Sequence, residues 1–483
     1  MLLLDRRPAR STHAPARPTD EPVRSPHRYD AWLIALVVVG AFARLWDLGA
    51  NRLGYDEAFT AMAGRMPLGS MFDYLRANDS HPPLDYLFHL PLARLGAGEF
   101  VYRLPSALCA IGALALFAWW MRTRGRAGVI ATGVLAISAF ALQHGRTARG
   151  YAELELLGVA IVVLADAWLR RPRRWHAWAL GALVFAGLLT HVSMFLLAAG
   201  LFVLAGRRLD RDAWRWRIAI VAGGAGWAAL WGTSFLVQSR GGHSDWIPRT
   251  TIPGVFDTLG SLTTNSLAYA VPLVVAIVAG GVVLLRTDAR TAKLWWSLFG
   301  VMVTLAAVAG IVLPVLLDRT LTLVFWGPAL ALGFAADALW SRTRVLGVVA
   351  VVVLGAVLVV PTVGVLTDHS GPTTGLDRLA AVAQPGDVVA VGAVGKLPEI
   401  EWTLGARSGH PWHVVTLAGL PRAGAILVGN AHPTGRVWVL DWNSRLRRAT
   451  DYVRCAPDWQ FGRSRVLCLQ RDITHPVTVT PLS

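Results

Sequence analysis

Apolar runs of about 20 residues, the length a helix needs to cross the hydrocarbon of a bilayer, recur along the chain from residue 31 to residue 366. The runs are continuous rather than alternating, so they read as helices and not as the strands of a closed barrel. The pattern predicts about eleven spans, at 31–48, 102–121, 127–143, 151–169, 175–190, 192–206, 218–237, 267–286, 294–317, 321–340 and 345–366. Residues 370–483 have a different texture. Pro385-Gly386-Asp387 is a turn signal, and short β-rich runs follow at 388–392, 413–417 and 436–441, interleaved with helix-capable stretches such as 397–405. This reads as a small α/β domain outside the membrane. No internal repeat is evident.

The segment 82–96 decides the register of everything after it. It is apolar enough to resemble a span, yet it carries Asp85, His89, Arg94 and a central Pro91. As a helix it would reach about 22 Å, short of the roughly 30 Å core. Leu84, Leu87, Phe88, Leu92 and Leu95 recur at helical spacing, which predicts an amphipathic helix lying in the outer interface.

Charge tests that choice. The 483 residues include 46 Lys and Arg against 30 Asp and Glu, a formal net charge of +16. The arginines form clusters between spans: 122, 124 and 126; 170, 171, 173 and 174; 207, 208, 211, 215 and 217; 286 and 290 with Lys293; 342 and 344. With 82–96 left out of the membrane, every one of these clusters falls on the cytoplasmic side, as the positive-inside bias requires. The pattern argues against nucleic acid as the partner of the basic charge. Residues 1–28, rich in Arg and Pro, read as a disordered cytoplasmic tail with no cleavable signal. The expected organisation is a polytopic all-α membrane domain over 29–368, with a long first outer loop at 49–101 holding interfacial helices, followed by the extracytoplasmic domain 369–483. The N-terminus would be cytoplasmic. Cys109 falls in a span and is expected to be inert, whereas Cys455 and Cys468 could pair if their domain faces an oxidising compartment.

The two sides differ in kind. Inner loops carry mainly Arg. Outer loops collect Tyr55-Asp56-Glu57, Asp79 with His81-Pro82-Pro83, the run Gln143 to Tyr151 containing Arg146 and Arg149, Thr190-His191, His243 with Asp245, and Asp318-Arg319. Ionisable groups at membrane depth are costly and usually functional. Arg146, Arg149, His191 and Arg319 come from separate helix ends and could converge on one anion. Asp56 and Glu57 could supply a general base, with a metal ligand or an orienting partner. Such a set suits displacement of a phosphate by a deprotonated hydroxyl, with cations holding the departing charge. Plainer roles stand beside each of these. Asp56 could cap a helix, His81-Pro82-Pro83 could be a helix-start turn, and Arg146 and Arg149 could reach to lipid phosphates. Arg319 could pair with Asp318, Tyr151 could anchor at the interface, and His191 could be structural.

Arg44, Asp56-Glu57, His81-Pro82-Pro83-Leu84, Arg103-Leu104-Pro105-Ser106, Arg146 to Tyr151, Thr190-His191 and Arg319 together form a pattern that resembles the GT-C superfamily. The similarity is to the branch of protein O-mannosyltransferases and lipid A aminoarabinose transferases, and it covers roughly residues 40–340. It implies a sugar donor carried on a polyprenyl phosphate, mannose or arabinose being favoured. The acceptor would be a lipid, glycan or protein outside the cytoplasmic membrane. By the same resemblance Asp56 would be the base, with Glu57 beside it. His81, Arg146, Arg149, Tyr151 and Arg319 would contact the donor phosphate. Asp79, His191, His243 and Asp245 are candidate substrate contacts. Some relatives use a divalent cation, Mg or Mn, which here would fall to Asp56 and Glu57. The acid or Gln that often precedes the Arg-x-Tyr motif is replaced here by Thr147-Ala148. A transporter of a lipid-linked glycan and a non-catalytic membrane scaffold are the competing classes; a transporter should show internal repeats and broken midplane helices.

Overall fold

The structure is a computed structural model that describes residues 29–206, 210–240, 247–264, 269–313, 315–368 and 376–391. Beyond these it describes Ile400, Trp402, Leu404 and the strands at 412–417, 424–428, 436–441, 452–461, 464–471 and 479–481. The expected tail at 1–28, and His243 and Asp245, lie outside the described residues.

A helix stands at each expected span. The chain opens with α1 (Asp30–Leu45), then α2 (Tyr55–Arg65), α3 (Leu68–Asn78) and α4 (Leu84–Arg94) in the first long loop. There follow α5 (Glu99–Met121), α6 (Gly125–Ile137), α7 (Ala139–Gly145), α8 (Tyr151–Arg170), α9 (Arg174–Thr190), α10 (Met194–Ala205) and α11 (Arg211–Arg240). Next come α12 (Ile252–Thr264), α13 (Ala270–Thr287), and α14 (Ala289–Leu294), which runs through a π-helical turn, Trp295–Gly300, into α15 (Val301–Val312). A 3₁₀ helix, Asp318–Val324, leads into α16 (Trp326–Arg342), and α17 (Arg344–Thr367) closes the series.

Five of these described segments are long and apolar enough to cross a membrane, and seven if two bent pairs each count as one. The bends are 53° between α6 and α7 and 68° between the 3₁₀ helix and α16. The others fall short for physical reasons: α1, α9 and α10 are short, and α8 carries Glu153, Glu155 and Asp166. The chain is a multi-pass membrane protein, and its outward surface agrees. α17 buries only Gly347, Leu358 and Thr362 and turns Val345, Val352, Val353 and Val360 outward. Helices approach closely where small residues face backbone. A Cβ on Gly280 would lie 2.0 Å from the Ala331 carbonyl oxygen, and one on Gly158 1.8 Å from that of Leu323.

α4 is the expected short helix, but its faces are reversed from those of a soluble helix. Asp85, Tyr86, His89 and Ala93 are buried, while Leu87, Phe88 and Leu95 are exposed. Its apolar side faces away from the protein and its polar side faces in, which suits a helix lying in an interface. Pro83 is the residue that caps its start, so the Pro pair does open a helix.

Two polar clusters mark opposite ends of α8. Near its C-terminus Asp166 accepts from Trp120 at 2.9 Å and pairs with Arg170 at 2.8 Å, Arg290 at 3.1 Å and Arg124 at 3.7 Å. Three of the expected inner loops meet there. The second cluster lies at the N-terminus of α8, about 20 Å away at 1.5 Å per residue.

The C-terminal part holds α18 (Leu376–Val382) and a seven-stranded sheet. The strands are β1 (Val388–Val391), β2 (Trp412–Leu417), β3 (Gly424–Val428), β4 (Arg436–Asp441), β5 (Tyr452–Phe461), β6 (Ser464–Arg471) and β7 (Val479–Pro481), in the order β5-β6-β4-β1-β3-β2-β7. Among the described residues only β1 and β4 pair in parallel. Of the helix-capable stretch 397–405, Ile400, Trp402 and Leu404 are helical, and the rest lies outside the described residues. Trp402 packs with Leu53, Ala58, Ala61, Ala93 and Tyr102, and Arg65 stacks over its ring at 4.4 Å. This side chain docks the C-terminal part on the first loop. Cys468 is in a disulfide and Cys109 is free.

Candidate active site

The site grows from the first turn of α2. Gly54 is its cap, and its N–H donates to the Glu57 carboxylate at 2.8 Å, closing the exposed helix end. Asp56 is therefore not the cap. It sits inside the first turn and projects away from that hydrogen bond.

Glu57 is fully committed. Arg103 grips it through two bonds of 2.7 Å, and the Ala148 N–H donates to it at 2.8 Å. Arg103 also donates to the carbonyls of Leu48, Asn51 and Arg52. One forked ion pair thus ties α2, α5, the α1–α2 connection and the loop before α8.

Asp56, about one-third exposed, lies between two guanidiniums: Arg149 at 3.8 Å and Arg319 at 3.6 Å. These distances exceed the roughly 2.8 Å of a direct charge-assisted bond, so the pairs are loose. Arg149 is buried and donates to the Thr60 hydroxyl at 3.0 Å and the Tyr86 hydroxyl at 2.6 Å. Behind it Tyr86 donates a very short bond to Asp79, which also faces Arg149 at 3.9 Å and the His81 Nδ1 at 3.0 Å. Burial alone would raise the Asp79 pKa. His81 and Arg149 outweigh it and hold the carboxyl well below the usual carboxylate range.

His191 follows α9 directly, with its ring centre 5.2 Å from that of His81. Its Nδ1 accepts from the Ser193 N–H at 3.0 Å. Burial, with His81 and Arg319 nearby, pushes its pKa down to about 3, so at neutral pH it is a neutral imidazole and brings no cation to an anion. Tyr151 is buried edge-on to the His144 ring, 5.1 Å between centres.

Arg146 does not join the cluster. Its guanidinium donates to the carbonyls of Ala43 at 2.9 Å, Trp46 and Asp47. These belong to the C-terminal end of α1, where carbonyls lack helical partners. The expected phosphate grip by Arg146 and Arg149 together therefore separates into one helix cap and one site residue. Arg44, likewise, is buried against the carbonyls of Gly40, Leu135 and Ala136. Arg319 is the second guanidinium beside Asp56, and Asp79 stands behind Arg149. Tyr86 and Thr60, which buttress Arg149, were not foreseen, since neither sits in a distinctive motif.

The divalent cation expected at Asp56 and Glu57 does not fit these residues. Glu57 has both oxygens engaged, and Asp56 is flanked by two positive charges that would repel a metal ion.

No family model matches the chain, and no curated protein does. Solved structures do match. The fold is similar to that of ArnT from Cupriavidus metallidurans in its apo state, at 16% identity and a TM-score of 0.57, covering 91% of this chain and 98% of that one. The same protein bound to undecaprenyl phosphate matches at 17% identity and a TM-score of 0.52, with the same coverage. An oligosaccharyltransferase from Archaeoglobus fulgidus matches at 12% identity and a TM-score of 0.48, over 78% of this chain and 64% of that one. The chain has the GT-C fold.

Proposed function

We propose that the chain is a glycosyltransferase that moves a sugar from a polyprenyl-phosphate donor to an acceptor hydroxyl at the outer face of the cytoplasmic membrane. One observation carries this reading: a half-open carboxylate, Asp56, set between Arg149 and Arg319, on a fold shared with a protein captured with undecaprenyl phosphate.

The chemistry follows from that geometry. Asp56 takes the proton of the acceptor hydroxyl. The acceptor oxygen forms its bond to the anomeric carbon as the bond from that carbon to the phosphate oxygen breaks. The phosphate leaves with the electron pair and needs no proton. Arg149 and Arg319, 3.8 and 3.6 Å from Asp56, present their charge to the departing phosphate as its own charge grows. His81, neutral His191 and Tyr151 border the same space and serve as hydrogen-bonding contacts. Asp79 and Tyr86 fix Arg149, and Glu57 holds the turn that presents Asp56. Mannose and arabinose are the sugars favoured, with a lipid, glycan or protein as acceptor.

The test is transfer by the purified protein from a panel of polyprenyl-phosphate sugars, with product identified by mass spectrometry. Wild-type protein should release polyprenyl phosphate with one donor, and Asp56→Asn should reduce turnover by at least about a hundredfold. Full transfer by Asp56→Asn removes it as base. No transfer from any donor removes the reading.

A further inference from the structure

A second polar cluster lies outside the chemistry just described. Asp85 and His89 stand one turn apart on the inward face of α4, and Glu153 sits in the first turn of α8. Each offers a ligand atom, and the three atoms lie within 4.8 Å of one another. Asp85 is 4% exposed and His89 0%.

The hydrogen bonding around this cluster is incomplete. His89 Nδ1 is 3.1 Å from both the Asp85 carbonyl and its Oδ1, and only the carbonyl lies in line for a bond. Among the described residues, His89 Nε2 is buried without a hydrogen-bond partner, and the two oxygens of Glu153 have no well-aligned one between them beyond Ser106. The Ser106 hydroxyl stands beside Glu153 as its hydrogen-bonding neighbour, and the hydroxyl of Tyr102, whose ring centre is 5.2 Å from that of His89, is unmatched. Buried polar atoms are nearly always paired, and unmatched atoms of His89, Glu153 and Tyr102 in one place call for a group that would satisfy them.

The donor set identifies that group. Two carboxylates and one imidazole match the nitrogen and oxygen ligands of a first-row divalent cation, zinc foremost. His89, paired with Asp85 at 3.1 Å, can supply at most one positive charge to the two carboxylates, and a doubly positive ion would balance both. The imidazole held against a backbone carbonyl is the usual outer-shell arrangement of a metal-ligating histidine. Edges of a tetrahedral zinc site are about 3.4 Å, so side-chain shifts of about one ångström bring the three atoms to bonding distance.

We propose that Asp85, His89 and Glu153 form a structural site for a divalent cation, zinc by preference, that pins the interfacial helix α4 to the start of α8. This pin would bear on the candidate active site without entering it. Tyr86, next to Asp85, donates to Asp79 and accepts from Arg149. A Cβ on Gly150 would lie 3.4 Å from that of Asp85. The cation would hold together the two elements that position Arg149. The inference rests on this cluster alone and stands or falls separately from the proposed reaction.

The experiment uses the full chain, purified in detergent without chelators. Elemental mass spectrometry should find close to one zinc per chain. After stripping with EDTA, zinc chloride should restore a higher melting temperature, manganese chloride less so. Glu153→Gln should weaken zinc binding by at least about a hundredfold and abolish the zinc-dependent thermal shift. X-ray absorption on the wild-type protein, which needs no variant to fold, should show a nitrogen and oxygen shell with one imidazole. Absence of bound zinc together with no thermal response of the stripped protein overturns the proposal, as does unchanged zinc content in a folded Glu153→Gln variant.

Discussion

Arg149 donates to the hydroxyl of Tyr86 at 2.6 Å, and the same hydroxyl donates onward to Asp79. The phenol is thus a relay between a buried cation and a buried anion, which lie 3.9 Å apart. Tyr86→Phe removes the relay and leaves the ring packed against Phe59. Hydrogen bonds to charged groups contribute about 1.5–3 kcal/mol. The expected outcome is a folded protein whose turnover falls about ten- to a hundredfold, with the apparent affinity for donor falling alongside. Steady-state kinetics against polyprenyl-phosphate sugar read it, and unchanged kinetics would show that Arg149 is fixed without the phenol.

Arg146 and Arg149 lie three residues apart and are indistinguishable by composition. The turn from Gly145 to Tyr151, with backbone bonds from Arg149 N–H to the Thr147 carbonyl and from Tyr151 N–H to the Arg149 carbonyl, sends them in different directions. Arg146→Ala should lower the melting temperature, because it uncovers carbonyls at the end of α1, while leaving donor affinity within about twofold. Arg149→Ala should abolish detectable transfer and, because it leaves buried Asp79 uncompensated, lower the melting temperature as well. Transfer activity, retained by a folded Arg146→Ala protein and lost by a folded Arg149→Ala protein, separates the two roles.

How much was legible beforehand follows from the same example. Charge clusters between apolar runs placed the spans, because each cluster is a local signal: Arg122 to Arg126 and Arg170 to Arg174 mark their ends whatever packs beside them. The segment 82–96 was legible from its length and its charges. Which way its faces turn was not, since an apolar stripe has the same period whether it meets lipid or a core; only the packing shows Phe88 outside and His89 inside. Asp56 and Glu57 are adjacent acids with different partners, and only tertiary contact commits Glu57 to Arg103. In the C-terminal part, β1, β2 and β4 were visible as β-rich runs. The strand β5 was not, because Pro457 and Asp458 interrupt its alternation and its pairing with β6 shifts register on either side of Ala456.

Glu57 and Arg103 are both nearly buried and bound through two 2.7 Å contacts. Removing one charge leaves the other uncompensated in a low-dielectric setting, a loss of about 3–5 kcal/mol. Glu57→Gln should therefore lower the yield of folded protein and the melting temperature sharply, with activity per folded molecule falling less. A variant of wild-type stability with no activity would instead place Glu57 in the chemistry.

His191 is one source of pH dependence in the stability of the fold. Its folded pKa is depressed to about 3, against about 6.5 for an exposed histidine. Between these values the unfolded chain binds a proton and the folded one does not. The group thus contributes stability that is present above about pH 6.5 and is lost progressively as pH falls toward 3. His191→Gln, which keeps a side chain able to bond Ser193, should flatten the decline in melting temperature between pH 6.5 and pH 4. An unaltered decline would assign it to other groups.

Gly158 tests whether Arg319 is set by packing at a distance. It lies on α8 where the backbone of Leu323 crosses, and a Cβ there would meet the Leu323 carbonyl oxygen at 1.8 Å and its carbon at 2.7 Å. Backbone cannot yield as a flexible side chain would, so Gly158→Ala must push the 3₁₀ helix away from α8. Overpacking of this kind costs about 1–3 kcal/mol. Arg319 is the second residue of that helix, and its 3.6 Å approach to Asp56 should lengthen with it. The expected result is a protein that still folds, melts lower, and loses at least about tenfold in kcat. Gly112→Ala is the control, because a Cβ there meets only the Leu156 side chain, at 3.6 Å, an ordinary contact that should leave both properties unchanged. Equal loss of activity in the two variants would trace the effect to general destabilisation rather than to the position of Arg319.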